Sequence, residues 1–273
     1  MQLGVSSYAF GWAVGVPGHP PPRPFDENDL LAFARAQGLS LIQFGDHLPL
    51  HTFDETRLAR LRSAADSGAP RVRIETGARG LTESHLARYI EISQQLEARL
   101  LRFVIDGAGY EPSPTDVVAL VRNALPALKA ARVTLGLENH DRFPARTLRT
   151  MLEQIGDDHV GICLDTANSL GAGEGLDYVV DQLAPHTVNL HIKDFAIARV
   201  SHAMGFIVEG RPAGRGMLDV PKLLDALAPH DRCRTAILET WVPPEARFVD
   251  TIAKERRWAE ESLAFLKPLF PTS

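Results

Sequence analysis

The 273-residue chain predicts an α/β fold, a single (β/α)8 barrel domain spanning 1–273. Three observations carry that expectation. Short, nearly continuous apolar runs alternate with longer segments of helical period, the pattern of a parallel sheet buried on both faces. Eight such runs can be counted, and that number argues for closure of the sheet. Several runs end at a carboxylate or carry a histidine, and the C-terminal strand ends are where a barrel keeps its chemistry. One barrel takes roughly 250 residues, so the length fits a single domain. The competing arrangement is an open doubly wound sheet, but the glycine-rich dinucleotide fingerprint is missing after the first strand.

The first strand, 2–6, runs into Ser7-Tyr8-Ala9-Phe10-Gly11-Trp12, whose aromatics either line a pocket or plug the barrel mouth. The proline- and glycine-rich stretch Val16 to Pro24 predicts an irregular loop. Asp26 or Asn28 is placed to cap the helix DLLAFARAQ, which Gly38 ends. The second strand is 39–46, with Asp46 at its end and His47 and His51 beyond. A helix follows with Leu58, Leu61 and Ala65 inward and a stop at Gly68. The third strand, 72–77, is read as finishing near Glu75 and Thr76, and Thr82 starts the next helix. The fourth strand is 100–107. The helix VVALVRNALPALKAA leads to the fifth strand, VTLGLENH. A helix over 144–156 precedes the sixth strand in VGICLDTANS, and another over 175–184 precedes the seventh, TVNLHIKD. The stretch 195–216 is expected as a long polar loop before VPKLLDALA. TAILETW is the eighth strand, and a helix over 250–266 closes the chain.

Composition narrows the function. The chain is 45% hydrophobic and 23% charged, ordinary for a folded protein. A formal charge of −5 gives no basic face for nucleic acid. Two cysteines, Cys163 and Cys233, make no disulfide framework, and a reduced, cytoplasmic setting is the simpler expectation. The N-terminus lacks the character of a signal peptide, and no apolar run approaches the roughly 18 residues of a membrane span.

The strand ends point to a metal. Glu138, Asp165, His191 and Glu239 fall at the C-terminal ends of strands five to eight. Three carboxylates and an imidazole are hard ligands suited to one Mn²⁺, Mg²⁺ or Co²⁺, with Zn²⁺ also admissible. Converging carboxylates repel one another, so the arrangement itself calls for a cation. Mn²⁺ is the leading expectation.

The segments LENH, CLDTAN, HIKD and ILE resemble the xylose isomerase-like TIM barrel superfamily, in particular its sugar-phosphate isomerase/epimerase branch. The resemblance covers nearly the whole chain. It implies that Glu138, Asp165, His191 and Glu239 hold the metal, and that Glu138 and Glu239 are the catalytic groups exchanging a proton with substrate carbon. It also implies a sugar substrate, a role in carbohydrate metabolism, and pairing into homodimers. The segment Pro212 to Leu224 resembles the family's Gly-x-Gly-x-x-Asp stretch, read here as a turn with Asp219 capping a helix. The ketose 3-epimerases of this branch carry a second Glu several residues past the fifth-strand ligand, a region where Pro144 stands here, and tend to have a His three residues past the Asp ligand, where this chain has Asn168. The metal set is therefore kept while the substrate-reading shell is changed.

The residues expected around the substrate are His140, Asn168, Lys193, Arg199, His202, Arg211 and Trp241. Lys193 follows His191 by two and shares its face of the strand. The cationic loop carrying Arg199, His202, Arg211 and Arg215 suits a carboxylate or phosphate. The leading expectation is a divalent-metal-dependent isomerase or epimerase of a sugar or sugar acid, working through a stabilised enediolate. The alternative is a lyase of the same superfamily, decarboxylating or dehydrating an oxidised sugar acid such as a branched 3-oxo acid. A DNA-repair nuclease would need more histidines and a basic face, and a non-catalytic sugar-binding barrel would not need an intact ligand set.

Overall fold

The computed structural model describes residues 1–270. Its strands are β1 (Gln2–Ser6), β2 (Leu41–Gln43), β3 (Arg73–Arg79), β4 (Leu100–Val104), β5 (Thr134–Glu138), β6 (Val160–Asp165), β7 (Thr187–Ile192), β8 (Phe195–Arg199), β9 (Phe206–Gly210) and β10 (Thr235–Leu238). All but β8 and β9 are parallel and close a barrel in sequence order, with β10 returning to β1. The helices are α1 (Gly11–Val14), α2 (Glu27–Ala36), α3 (Glu55–Ser67), α4 (Glu83–Gln95), α5 (Pro114–Ala131), α6 (Ala145–Ile155), α7 (Leu176–Leu183), α8 (Val220–Leu227) and α9 (Phe248–Leu266). The sequence's eight βα units are thus one (β/α)8 barrel.

Local chemistry places the helix starts. Asp26 and Asp29 form a capping box on α2, and Ser113 and Asp116 form another on α5. Asp54, Thr82 and Asp219 accept from the first turns of α3, α4 and α8. Of the two caps considered for α2, the one used is therefore Asp26, and Asp219 is the helix cap expected. Every residue of β4, β6, β7 and β10 is buried, so the strands register only where both faces are covered.

Three stretches differ from expectation. The aromatic run after β1 coils into a short turn and α1, where Phe10 packs on Phe25 and Phe33 while Tyr8 points to Asp46. One aromatic plugs and another faces the site. β3 continues to Arg79, which leaves Glu75 inside the barrel rather than at its end. The stretch read as a polar loop contains the antiparallel hairpin β8–β9, paired from Phe195↔Gly210 to Arg199↔Phe206. Its strands, FAIAR and FIVEG, are mostly apolar, but Ile197, Phe206, Ile207 and Val208 remain exposed, so no core burial advertised it.

Candidate active site at the C-terminal end of the barrel

Glu138 and Asp165 end β5 and β6, His191 is the fifth residue of β7, and Glu239 directly follows β10. All four are buried. Parallel register sets Asp165 beside His191 and His191 beside Ile237, so the four side chains converge. His191 Nδ1 lies 3.4 Å from Glu239 Oε1, 3.7 Å from Asp165 Oδ2 and 3.7 Å from Glu138 Oε2.

Several contacts orient these groups. Asn139 ties β5 to β6, with Asp165 N donating to its Oδ1 (2.6 Å) and its Nδ2 donating to Asp165 O (2.9 Å). Ala167 N and Asn168 N both donate to Asp165 Oδ1 at 2.8 Å, which leaves Oδ2 facing His191. His191 Nε2 meets Gln43 Oε1 at 2.7 Å. Glu138 is held at both oxygens: Arg102 Nε donates to Oε2, and Asn168 Nδ2 donates to Oε1 at 2.7 Å. Arg102 also donates to Asp46 Oδ1 at 2.8 Å, and Tyr8 Oη donates to the same oxygen at 3.1 Å. Glycine keeps the lane for Arg102: a Cβ on Gly77 would stand 2.3 Å from Phe44 O and 3.3 Å from Arg102 Cδ.

The charges do not balance. Asp46, Asp106, Glu138, Asp165 and Glu239 face Arg79, Arg102 and Lys193, five carboxylates against three cations. Lys193 Nζ sits 2.8 Å from Asp165 Oδ2 and 3.0 Å from Glu239 Oε2, close by charge though outside directed hydrogen-bond geometry. Asp165 Oδ2, His191 Nδ1 and both Glu239 oxygens are buried without a hydrogen-bond partner. Such orphaned atoms are costly unless a ligand takes them. Donors held about 2.0–2.2 Å from one ion stand roughly 2.8–3.6 Å apart, close to the spacing around Nδ1. The donor set fits one small divalent cation.

Protonation follows the same charges. Burial works against ionised Asp165 and Glu239, but Lys193 and His191 outweigh it and hold both carboxyls below their ordinary values. Burial also disfavours the Lys193 ammonium, yet Asp165 and Glu239 reverse this and raise it. Desolvation opposes a charged His191, and Glu239 and Glu138 overcome it, so its proton affinity is raised. Burial pushes the Cys163 thiol well up, with Glu138 adding to it, so its Sγ donates to Asn189 Oδ1 at 3.0 Å rather than acting as a thiolate.

The structure brings Glu138, Asp165, His191, Glu239, Asn168 and Lys193 together. Trp241 lies beside them, its ring 5.3 Å from Lys193 Nζ. His140 stands two residues past β5 with Nε2 3.0 Å from Arg79 Nη2. The three remaining expected substrate residues belong to the hairpin segment and have contacts of their own. Arg199 donates to Ala203 O, His202 is exposed at the tip, and Arg211 pairs with Glu209 at 3.0 Å. His51 turns away to Tyr89 Oη, whereas His47 packs its ring 3.9 Å from Tyr8. Sequence reasoning missed Arg102, Arg79 and Gln43. A charged or amide residue inside an apolar strand run such as LLRFV was the available signal.

Residues 31–269 match the model of the family described as xylose isomerase-like TIM barrel. The chain belongs to the xylose isomerase-like TIM barrel family. It is 32% identical over 267 residues to the 3-oxo-isoapionate decarboxylase of Pectobacterium atrosepticum, covering 97% of this chain and 95% of that one. Its fold superposes on D-psicose 3-epimerase from Clostridium cellulolyticum H10 with a TM-score of 0.74, 13% identity and 100% coverage of both chains. A xylose isomerase-like barrel from Mycobacterium smegmatis, solved in complex with magnesium, gives a TM-score of 0.70 at 12% identity, covering 97% of this chain and 98% of that one. Epimerases and a decarboxylase are among the relatives. Among the described residues, no helix is long and apolar enough to cross a membrane.

Proposed function

We propose that this protein is a metal-dependent lyase that decarboxylates a 3-oxo sugar acid. The observation that carries the reading is the commitment of Glu138. A carboxylate that accepts from a guanidinium at one oxygen and an amide at the other has no free oxygen to offer a proton on the substrate carbon. An epimerase needs two carboxylates free to trade protons on opposite faces of the substrate. A decarboxylase needs only one proton donor. The whole-length similarity to a decarboxylase of a 3-oxo acid supports the same choice.

In such an acid the ketone is β to the carboxylate. The bond between the α-carbon and the carboxyl carbon breaks, CO₂ leaves, and the electron pair passes to the ketone oxygen as an enolate. Lys193, held as an ammonium beside Asp165 and Glu239, returns a proton to the α-carbon and is recharged from solvent. The product is a ketone one carbon shorter. Glu138, Asp165, His191 and Glu239 are the residues that would hold a divalent ion, Mn²⁺ by expectation with Mg²⁺, Co²⁺ or Zn²⁺ as alternatives. When bound, it would supply Lewis-acid stabilisation of negative charge. Asn168 and the Trp241 face orient the sugar, and Arg79 with His140 reads its carboxylate from the strand ends. Arg199, His202 and Arg211 act only from the hairpin rim.

A second reading is aldose–ketose isomerisation by Glu239 alone. The unpartnered oxygens of Glu239 favour it, since one carboxylate suffices to carry a proton between neighbouring carbons. Residues 1–273 acting as one domain, a cytoplasmic setting and a homodimer remain parts of the proposal. Purified protein loaded with Mn²⁺ should release CO₂ from 3-oxo-isoapionate in step with ketone formation. Rearranged sugar from an aldose or ketose panel, with no CO₂ from the acid, would overturn the lyase reading in favour of isomerisation.

A further inference from the structure

Beneath the site, the barrel interior holds a second polar cluster that the proposed chemistry does not use. Gln43, Glu75, Asn189 and Thr235 come from β2, β3, β7 and β10, and all are buried. Gln43 Nε2 donates to Glu75 Oε2 at 3.0 Å and to Asn189 Oδ1 at 3.1 Å. Asn189 Nδ2 in turn donates to Thr235 Oγ1 at 2.7 Å and reaches Glu75 Oε2 at 3.4 Å, while its Oδ1 also receives the Cys163 thiol.

These contacts fix the direction of the Gln43 amide. Both of its hydrogens have acceptors, one of them a carboxylate. A flipped amide would set its carbonyl oxygen against Glu75 Oε2 and Asn189 Oδ1, acceptor on acceptor. Gln43 Oε1 must therefore face His191, 2.7 Å from Nε2. An oxygen that can only accept requires a proton on that nitrogen. In the neutral imidazole the other nitrogen, Nδ1, is then bare, and it is the one surrounded by Glu138, Asp165 and Glu239.

We propose that Gln43, oriented by Glu75 and Asn189, is a positioning residue that selects the Nε2–H tautomer of His191 and so presents Nδ1 to a divalent cation. The inference rests on the four-donor assignment above but is independent of which reaction follows. A ligating histidine whose second nitrogen loses its partner typically binds metal about 10–100-fold more weakly.

The test uses full-length protein with ¹⁵N-labelled histidine and two-bond ¹H–¹⁵N spectra. These are recorded on Mg²⁺-saturated protein and on metal-free protein at alkaline pH, where the ring is neutral. Wild type should show His191 as the Nε2–H tautomer in both. Gln43→Met, of similar volume but lacking the acceptor, should mix the tautomers and lower Mg²⁺ and Mn²⁺ affinity by about 10–100-fold in calorimetry. An Nδ1–H tautomer in wild type, or a folded Gln43→Met with unchanged tautomer and affinity, would overturn the inference. If Gln43→Met does not fold, the wild-type spectra alone decide. Wild type that binds neither metal would sink the ligand assignment, while the alkaline spectrum still judges the role of Gln43.

Discussion

Two buried polar clusters share the barrel interior, and they are finished differently. In the lower one, Gln43, Glu75, Asn189 and Thr235 satisfy one another, and none of their side-chain atoms stands among the buried unpartnered ones. In the upper one, Asp165 Oδ2, His191 Nδ1 and both Glu239 oxygens lack partners, and carboxylates exceed cations. Both cost desolvation. Only the upper cluster leaves buried polar atoms without a protein hydrogen-bond partner. A saturated network specifies structure, whereas an unsaturated one beside it marks where a ligand goes.

The largest expected effect on that contrast comes from Lys193→Met. Removing the proton donor should lower kcat for CO₂ release by about 10²–10⁴-fold. The same change removes a positive charge that competes for Asp165 and Glu239, so Mn²⁺ affinity should hold or rise. Parallel loss of affinity and turnover would show Lys193 to be structural.

Arg102→Met tests the upper cluster from its cationic side. It strands Glu138 without its guanidinium and leaves Asp46 only Arg79, and unpairing a buried charge costs about 3–5 kcal/mol. Urea unfolding of metal-free protein should show that loss, and added Mn²⁺ should recover part of it by compensating Glu138. No recovery with metal would mean that Glu138 is not a ligand.

The smallest effects separate the clusters by the sign of their pH response. At Asp46, burial is outweighed by Arg102, which holds the carboxyl at about 2 against an ordinary 3.8. Its stabilisation is complete above 3.8 and is lost as pH falls through about 2, roughly 2 kcal/mol in all. At Glu75, burial raises the carboxyl from 4.5 to about 7, with Thr235 and Gln43 opposing it. Stability is therefore full below 4.5 and declines as pH rises through about 7, on the order of 3 kcal/mol. Denaturant unfolding across pH should flatten at the acid end in Asp46→Asn and near neutrality in Glu75→Gln. A single shared slope removed by either substitution would merge the two clusters into one.

The sequence displayed the upper cluster better than the lower for a physical reason. Glu138, Asp165 and Glu239 interrupt apolar strands at their ends, where a polar residue has no packing role and stands out. Gln43, Glu75 and Arg102 sit inside such runs and look like tolerated exceptions until the barrel closes and turns them inward. The eight strands were legible because burial on both faces leaves no other composition. The hairpin β8–β9 was not, since its apolar side chains stay exposed and its pairing is purely local. Asn168 marked a departure from the epimerase pattern, but only the structure shows it donating to Glu138.

The most direct measurement is metal stoichiometry after loading with Mn²⁺ and desalting, compared between wild type and His191→Ala. One ion per chain in wild type and none retained by the folded variant is the predicted result. Wild type that keeps no metal, or a variant that keeps as much as wild type, would contradict the assignment of the upper cluster as a cation site.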